Sequence, residues 1–319
     1  MEKPVITTIT KVQVAIILIN YNGSDDTVKC VENILLKTSK ALSYEIMVID
    51  NASKRDDYHT LQNLLIGIKD PRIKLHRSKI NTGFGGGNMM GVQHAHADYY
   101  LFLNNDTLLI NDAVSICHDF MQKTPDAAVC GAQIYDENEK PAVSFDHFTS
   151  FGREVFGKAA IEFLNPKSKP KRHKIYADPL EVDYVNGSFM FFRASDFKAV
   201  GGYDTNLFLY FEESDICYRL RQGNRKTFFL PAAKYLHYQG KSIDRAGMPI
   251  DTKIELKTSM FYVIRKNNGY VQYQLLRLFF IMRYSLVSIF KPKYWKLFHR
   301  ILIGLPLGKS LKQRQVIED

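Results

Sequence analysis

The sequence predicts an α/β protein on a mostly parallel, doubly wound sheet, with a basic amphipathic helical extension at its C-terminus. Three observations predict this. Short apolar runs alternate with stretches of helical periodicity from residue 12 onward, at the spacing of strand–helix–strand units. Each of the main runs stops abruptly at Asn or Asp. Between Leu256 and Ile317 there is no Asp or Glu but there are twelve Lys and Arg.

Taken in order, Val14–Ile19 reads as a buried strand ending in Asn20-Tyr21-Asn22-Gly23. Ser24 or Asp25 can cap the helix that follows, with Val28, Val31, Ile34 and Leu35 at helical spacing. Glu45–Ile49 is a second buried strand ending in Asp50-Asn51-Ala52-Ser53, followed by a helix with Tyr58, Leu61, Leu64, Leu65 and Ile68 on one face. Ile73–Leu75 alternates as a shorter strand and leads to Asn81-Thr82-Gly83-Phe84-Gly85-Gly86-Gly87-Asn88. A helix over Met89–Ala97 returns the chain to its most buried strand, Tyr99–Leu103, which runs into Asn104-Asn105-Asp106.

Alone, Asn104-Asn105-Asp106 fits a helix cap or turn more readily than a site. In a parallel sheet, however, the carboxyl ends of the strands share one edge, where ligands bind. Asn20-Tyr21, Asp50-Asn51, Asn81–Asn88 and Asn104–Asp106 then converge on one crevice. Asp106 would offer a hard oxygen to Mg²⁺ or Mn²⁺. The glycine cluster is not a dinucleotide fingerprint, because Asn88 or Met90 stands where the third glycine belongs. It reads either as a pliant start to the helix or as bare backbone that a diphosphate or ribose approaches closely, with Asn88 hydrogen-bonding it.

Residues 132–180 carry the least signal, and Lys167–Lys174, with five Lys and Arg, reads as an exposed mobile loop. Val182–Val185 and Ser188–Arg193 are apolar enough for strands about the turn Asn186-Gly187. Ala199–Asp204 reads as a helix end and tight turn. The aromatic run Leu207–Phe211 then stops at Glu212, Glu213 and Asp215, which open a helix carrying Ile216 and Leu220. Acids in a first turn suit the helix dipole. An acid against an apolar run is also where a carboxylate pKa rises and a general base can form. After a strand at Phe228–Leu230 comes His237, either structural or a metal ligand complementing Asp106.

Composition narrows the classes. The chain has 319 residues, 45% hydrophobic and 24% charged, enough for a large core. Cys30, Cys117, Cys130 and Cys217 are widely spaced, fitting buried thiols in a reducing compartment. Outside the tail, 31 basic residues face 33 acidic ones, so the net charge of +10 belongs to the C-terminus and argues against nucleic acid as partner. No signal peptide is visible at the start of this sequence. Arg277 and Arg283 interrupt the most apolar stretch, Leu275–Phe290, so no transmembrane span is expected. Pro292 divides Tyr270–Leu307 into two helices. Their cations beside Trp295 and Phe298 suit an anionic membrane surface. The competing reading is that these helices complete the core or a homodimer contact.

Several motifs carry a family likeness: Ile19-Asn20-Tyr21-Asn22, Val48-Ile49-Asp50-Asn51-Ala52-Ser53, Asn81-Thr82-Gly83-Phe84-x-x-x-Asn88, Leu103-Asn104-Asn105-Asp106-Thr107, Gly187-Ser188-Phe189-Met190-x-x-Arg193, Gly201-Gly202-Tyr203-Asp204, Glu212-Glu213-Ser214-Asp215-x-Cys217-x-Arg219 and His237-x-x-Gly240-x-Ser242. In this order, over roughly residues 12–245, the chain resembles the inverting family 2 glycosyltransferases of GT-A fold. Its nearest look-alikes are the bacterial rhamnosyltransferase-like members of O-antigen and capsular polysaccharide synthesis. The resemblance implies a GT-A domain over 1–250, with a nucleotide-sugar half at 12–110 and an acceptor half at 180–245, followed by the extension at 251–319.

It further implies that Asp50 reads the base with Asn20, Tyr21 and Asn51 nearby, and that Asn81, Gly83 and Asn88 line ribose and diphosphate. Asn104-Asn105-Asp106 matches the family's Asp-x-Asp motif with Asn104 in place of its first acid, leaving Asp106 and His237 to hold Mn²⁺ or Mg²⁺. Glu213 stands where the family has its catalytic aspartate, with Glu212 and Asp215 as the competing bases. The implied reaction moves a sugar, rhamnose from dTDP-rhamnose or another hexose from a UDP-sugar, to a hydroxyl of a surface polysaccharide or lipid-linked glycan. The implied setting is cytoplasmic, at the inner face of the cytoplasmic membrane. Two rivals remain. A sugar nucleotidyltransferase would show a basic loop after the first strand, and Asn20–Gly23 has no Lys or Arg. A non-catalytic nucleotide- or glycan-binding module would have no use for Glu213 and His237.

Overall fold

The structure is a computed structural model that describes residues 11–238 and 248–317. The first half alternates strands and helices: β1 (Val12–Asn20), α1 (Ser24–Lys37), β2 (Tyr44–Asn51), α2 (Arg55–Ile68), β3 (Ile73–Ser78), α3 (Gly83–His94) and β4 (Ala97–Asn104). There follow β5 (Thr107–Leu109), α4 (Ala113–Lys123) and β6 (Ala127–Tyr135). A less regular stretch holds β7 (Phe145–Asp146), α5 (Phe151–Phe156) and α6 (Lys158–Leu164). The domain closes with β8 (Leu180–Val182), β9 (Tyr184–Val185), β10 (Phe189–Arg193), α7 (Ala194–Ala199), α8 (Glu212–Gln222) and β11 (Lys226–His237). The tail forms α9 (Ile250–Asn268), α10 (Tyr270–Phe290) and α11 (Trp295–Leu302).

One mixed sheet runs β3-β2-β1-β4-β10-β6-β11-β5, with β8 also on β11. β1 to β4 are mutually parallel, β10 is antiparallel to β4 and β6, and β6 and β11 are parallel. Strand periodicity sorts β1 between two cores: Val14, Ile16 and Leu18 face a layer with Val31, Leu61 and Cys117, while Ala15 and Ile17 face one with Phe197, Ile216 and Leu220. Burying each such aliphatic or aromatic side chain contributes about 1.5–3 kcal/mol. The four cysteines are all buried and unpaired.

Several expectations shift. Neither Ser24 nor Asp25 caps α1. Gly23 is its N-cap residue, and the Ser24 N–H donates instead to Asp57 Oδ1 at 3.1 Å. The glycines lie inside α3, which begins at Gly83 and not at Met89. Residues 182–193 do not form a hairpin. β9 leaves the main sheet for a two-stranded pairing with β7, while β10 inserts between β4 and β6. Asp183 interrupts β8 and β9, since its buried carboxylate turns to Arg221 at 2.8 Å and to Lys169.

Lys167–Lys174 is not simply a solvated loop: Arg172 reaches Glu162 at 2.7 Å, and its side chain is only 12% exposed. Helix α10 is unbroken through Arg277 and Arg283, and by length and composition it could cross a membrane. One face of α10 nevertheless packs Tyr273, Leu276 and Phe280 with Phe261 of α9 and Leu297 and Ile301 of α11. Arg277 donates to the carbonyls of Ile301, at 3.2 Å, and Leu302. The opposite face leaves Val271, Leu275, Leu278, Met282, Leu286 and Ile289 exposed.

Candidate active site

Sheet register brings the polar strand ends together. Asn20 lies opposite Asp50 across β1 and β2, and Ile19 opposite Asn104 across β1 and β4. Asn20 is fully buried and acts as the junction. Its Nδ2 donates to Asp50 Oδ1 at 2.9 Å, Ser53 Oγ at 3.0 Å and Asp57 Oδ2 at 2.9 Å, while its Oδ1 accepts from Thr27 Oγ1 at 2.8 Å. Asp50 is also fully buried, with Arg77 Nε at 3.5 Å and the Ser53 N–H at 3.3 Å. Tyr21, by contrast, is exposed at the crevice rim. Asp57 escaped the sequence reading, because only tertiary pairing brings the first turn of α2 to Asn20.

Asn51 organises the next loop. Its amide donates to Asn81 Oδ1 at 3.0 Å and to the Gly83 carbonyl at 3.1 Å, and its Oδ1 accepts from the Thr82 N–H at 3.0 Å. Gly83 has φ of +76°, and a Cβ there would lie 2.1 Å from the Phe208 carbonyl. The glycine cluster therefore lets α3 pack closely: at Gly91 an added Cβ would sit 2.5 Å from Ile17 Cγ2. Asn88 is buried, and its amide donates to the Phe84 carbonyl at 3.1 Å within the same helix.

At the end of β4, Asn104 is half-buried, and just beyond it Asn105 Nδ2 donates to Thr27 Oγ1 at 2.8 Å. The pairing of β5 with β11 sets Thr107 opposite His237. Asp106 Oδ1 thereby comes 3.2 Å from His237 Nε2, and the Tyr238 N–H donates to the Asp106 carbonyl at 3.1 Å. His237 Nδ1 is buried without a hydrogen-bond partner among the described residues. One carboxylate oxygen and one imidazole nitrogen fit a divalent ion that takes its other ligands from water and a diphosphate. Among the described residues no group of three or more His, Cys, Asp or Glu forms a fuller cage. Gly240 and Ser242 lie outside the described residues.

The three candidate bases have different surroundings. Asp215 is fully buried, with Arg219 Nε and Lys266 Nζ each at 2.9 Å. Arg219 also donates to the carbonyls of Val200 and Gly202. Asp215 therefore anchors the Gly201-Gly202 turn and α9. Glu212 is buried with Oε1 unpaired among the described residues, and burial, then the neighbouring Glu213, pushes its pKa well above the ordinary range. Glu213 is half-buried and lines a cavity of about 670 Å³. Burial raises its pKa to about 7, with Asp146 adding to the rise and Arg153 opposing it.

Just before these acids, Tyr210 and Phe211 hold φ of +73° and +72°, a left-handed conformation rare for aromatic residues. Strain of this kind concentrates at functional sites. No local sequence signal marks it.

Comparison with known proteins follows this geometry. A model of glycosyl transferase family 2 matches residues 15–200. The chain is similar to rhamnosyltransferase WbbL of Escherichia coli, 29% identical over 193 residues, which span 58% of this chain and 71% of that protein. It is also similar to the low-salt glycan biosynthesis hexosyltransferase Agl10 of Haloferax volcanii, 25% identical over 226 residues, covering 66% of this chain and 62% of the relative. A crystal structure of GalNAc-T7 with UDP, GalNAc and Mn²⁺ shares the fold, with a TM-score of 0.58 and 15% identity over 80% of this chain and 48% of that one. The family match spans more than half of the sequence, and the chain belongs to glycosyl transferase family 2, a glycosyltransferase of GT-A-like α/β fold.

Proposed function

We propose that this glycosyltransferase is a metal-dependent, inverting enzyme. It would move a hexose, rhamnose from dTDP-rhamnose or another sugar from a UDP-sugar, onto a hydroxyl of a surface polysaccharide or lipid-linked glycan. The observation that carries the reading is the pairing of two unlike groups. Asp106 with His237 suits a divalent ion, and Glu213 is a carboxylate whose pKa stands at about 7 beside a cavity.

In a single displacement the acceptor oxygen attacks the anomeric carbon as the bond to the nucleoside diphosphate breaks. Glu213 takes the hydroxyl proton, a role suited to a carboxylate with a pKa near the working pH. A divalent ion, Mn²⁺ or Mg²⁺, would stabilise the charge of the departing diphosphate. Asp106 and His237 would hold that ion. Tyr21, exposed at the rim, would pack against the nucleotide. Asn20, Asp50, Asn51 and Asn81 would fix the loops around it through their shared hydrogen bonds. Glu212, pushed toward its neutral form, would add no second negative charge next to Glu213. The name of the WbbL relative supports rhamnose as the sugar.

The setting is part of the proposal. The exposed apolar stripe of α10, with Arg283, Lys291 and Lys293 exposed nearby, supports docking on the anionic inner face of the cytoplasmic membrane. A thermal-shift screen of nucleotide sugars with Mn²⁺ or Mg²⁺ tests the donor reading. A metal-dependent rise in melting temperature for dTDP- or UDP-sugars upholds it, and a rise for none of them contradicts it.

A further inference from the structure

The segment between β6 and β8 gives the cavity beside Glu213 an unusual wall. Arg153, Lys158, Arg172 and His173 all line it, together with Asp146. That single carboxylate answers three of the cations: Arg153 Nη2 at 3.1 Å, Lys158 Nζ, and Arg172 Nε at 3.6 Å. Glu162 takes Arg172 Nε at 2.7 Å but also faces His147 Nε2 at 3.3 Å. Asp146 and Glu162 are thus shared among these three cations, and Glu213 is the further carboxylate on the cavity, with Arg153 opposing the rise in its pKa.

Arg153 adds an independent observation. It also donates to Thr149 Oγ1 at 2.6 Å and lies beside the Tyr184 hydroxyl, it is 6% exposed, and its Nε–H has no acceptor among the described residues. A buried guanidinium N–H without an acceptor is costly. An oxyanion entering the cavity would supply that acceptor and meet Arg153, Lys158 and Arg172 on one wall. Guanidinium forks match phosphate oxygens in geometry as well as sign.

In the proposed function the donor diphosphate belongs at Asp106 and His237. Among the described residues, the small cavity at Asp106, which also involves Asn105 and Tyr238, shares no lining residue with the cavity at Glu213. We infer that Arg153, Lys158 and Arg172 form an oxyanion subsite for a phosphate or diphosphate carried by the acceptor, holding it while the acceptor hydroxyl meets Glu213. The inference rests on the reading of Glu213 as the acceptor-side base. Leu256 of α9 borders the same cavity, and α5, which carries Arg153, packs on α10. An acceptor phosphate held here would thus lie next to the helices proposed to meet the membrane.

Isothermal titration of the full chain with inorganic diphosphate, in EDTA, tests the subsite without engaging the metal-dependent donor position. Saturable binding is expected, at least tenfold weaker in the Lys158→Gln/Arg172→Gln double variant and unchanged in Asp106→Ala, with melting temperatures confirming that both fold. Absence of binding, equal binding by the double variant, or loss in Asp106→Ala overturns the inference. Tighter binding of glucuronate than of diphosphate also overturns it, since the cluster would then read a carboxylate.

A kinetic arm names the source of the phosphate. The KM ratio between an octyl glycoside and an octyl-diphosphate-linked sugar should favour the latter and collapse at least tenfold in the double variant. Equal KM for lipid-free and octyl-linked sugar diphosphates assigns recognition to the phosphates alone, and a lower KM for the octyl form assigns a lipid-linked acceptor. Both uphold the subsite. Absence of donor turnover by the wild type would instead strike the glycosyl-transfer reading, on which the diphosphate titration does not depend.

Discussion

Asp106 Oδ1 and His237 Nε2 stand 3.2 Å apart because β5 and β11 pair antiparallel at the end of the sheet, with Thr107 opposite His237. The relationship joins the strand–helix half of the domain that opens the chain to β11. Asn104, the residue in place of a second acid, is half-buried and lies two residues further from β5 than Asp106 does. Asp106→Ala should therefore remove metal-dependent turnover while the far-ultraviolet spectrum stays native, and His237→Ala should raise the metal concentration needed for half-maximal activity. Asn104→Ala should be milder. Titrating Mn²⁺ against each variant checks the order.

Glu213→Gln keeps size and hydrogen bonding but cannot take a proton, so kcat should fall roughly 10²-fold or more with donor affinity little changed. In the wild type, kcat should decline as pH drops through about 7, where Glu213 gains its proton. Stability has the opposite sense. The folded carboxyl holds its proton to a higher pH than the unfolded one, so its contribution to stability is lost as pH rises toward and through about 7. The melting temperature of Glu213→Gln should then exceed that of wild type at pH 8 and match it near pH 4. Equal melting temperatures at pH 8 would show that the carboxylate is not held in a desolvating site.

Asp215→Asn should behave differently from Glu213→Gln. Asp215 is fully buried between Arg219 and Lys266, and removing one partner of a buried ion pair costs about 3–5 kcal/mol. The expected result is a large drop in urea midpoint. Any activity remaining at low temperature should keep the wild-type pH profile.

The first half of the domain was legible because its pattern is local. Apolar runs that stop at Asn20, Asp50 and Asn104 name both the strands and their ligand edge, and parallel pairing aligns those ends. The glycine run was legible as a close approach but not as to what approaches. Phe208 and Ile17, distant in sequence from Gly83 and Gly91, occupy the space. The cation cluster at Arg153, Lys158 and Arg172 stayed hidden for the opposite reason: charges spread along 146–172 follow no period, and only the folded loop gathers them on Asp146. What separates Glu212, Glu213 and Asp215 is likewise tertiary: Asp215 meets Arg219 and Lys266, and Glu213 meets the cavity.

The tail makes a further prediction. Truncation before Tyr270 would uncover the core made with Phe261, so single substitutions on the exposed stripe are the cleaner probe. Leu278→Glu and Met282→Glu should leave the melting temperature within a few degrees of wild type and weaken co-sedimentation with anionic vesicles severalfold. Binding by wild type should fall as salt rises. Equal binding to neutral vesicles would refute an electrostatic contribution. A dimer in sedimentation velocity that both substitutions dissociate would assign the stripe to self-association.

The central claim is that Asp106 and Glu213 serve the two halves of one displacement. The most direct measurement is transfer from the best nucleotide-sugar donor to a glycan acceptor with Mn²⁺, with the product's anomeric configuration read by NMR. The account predicts a product inverted relative to the donor, and turnover abolished by EDTA, by Asp106→Ala and by Glu213→Gln. A product of retained configuration, or full turnover by either variant, would contradict it.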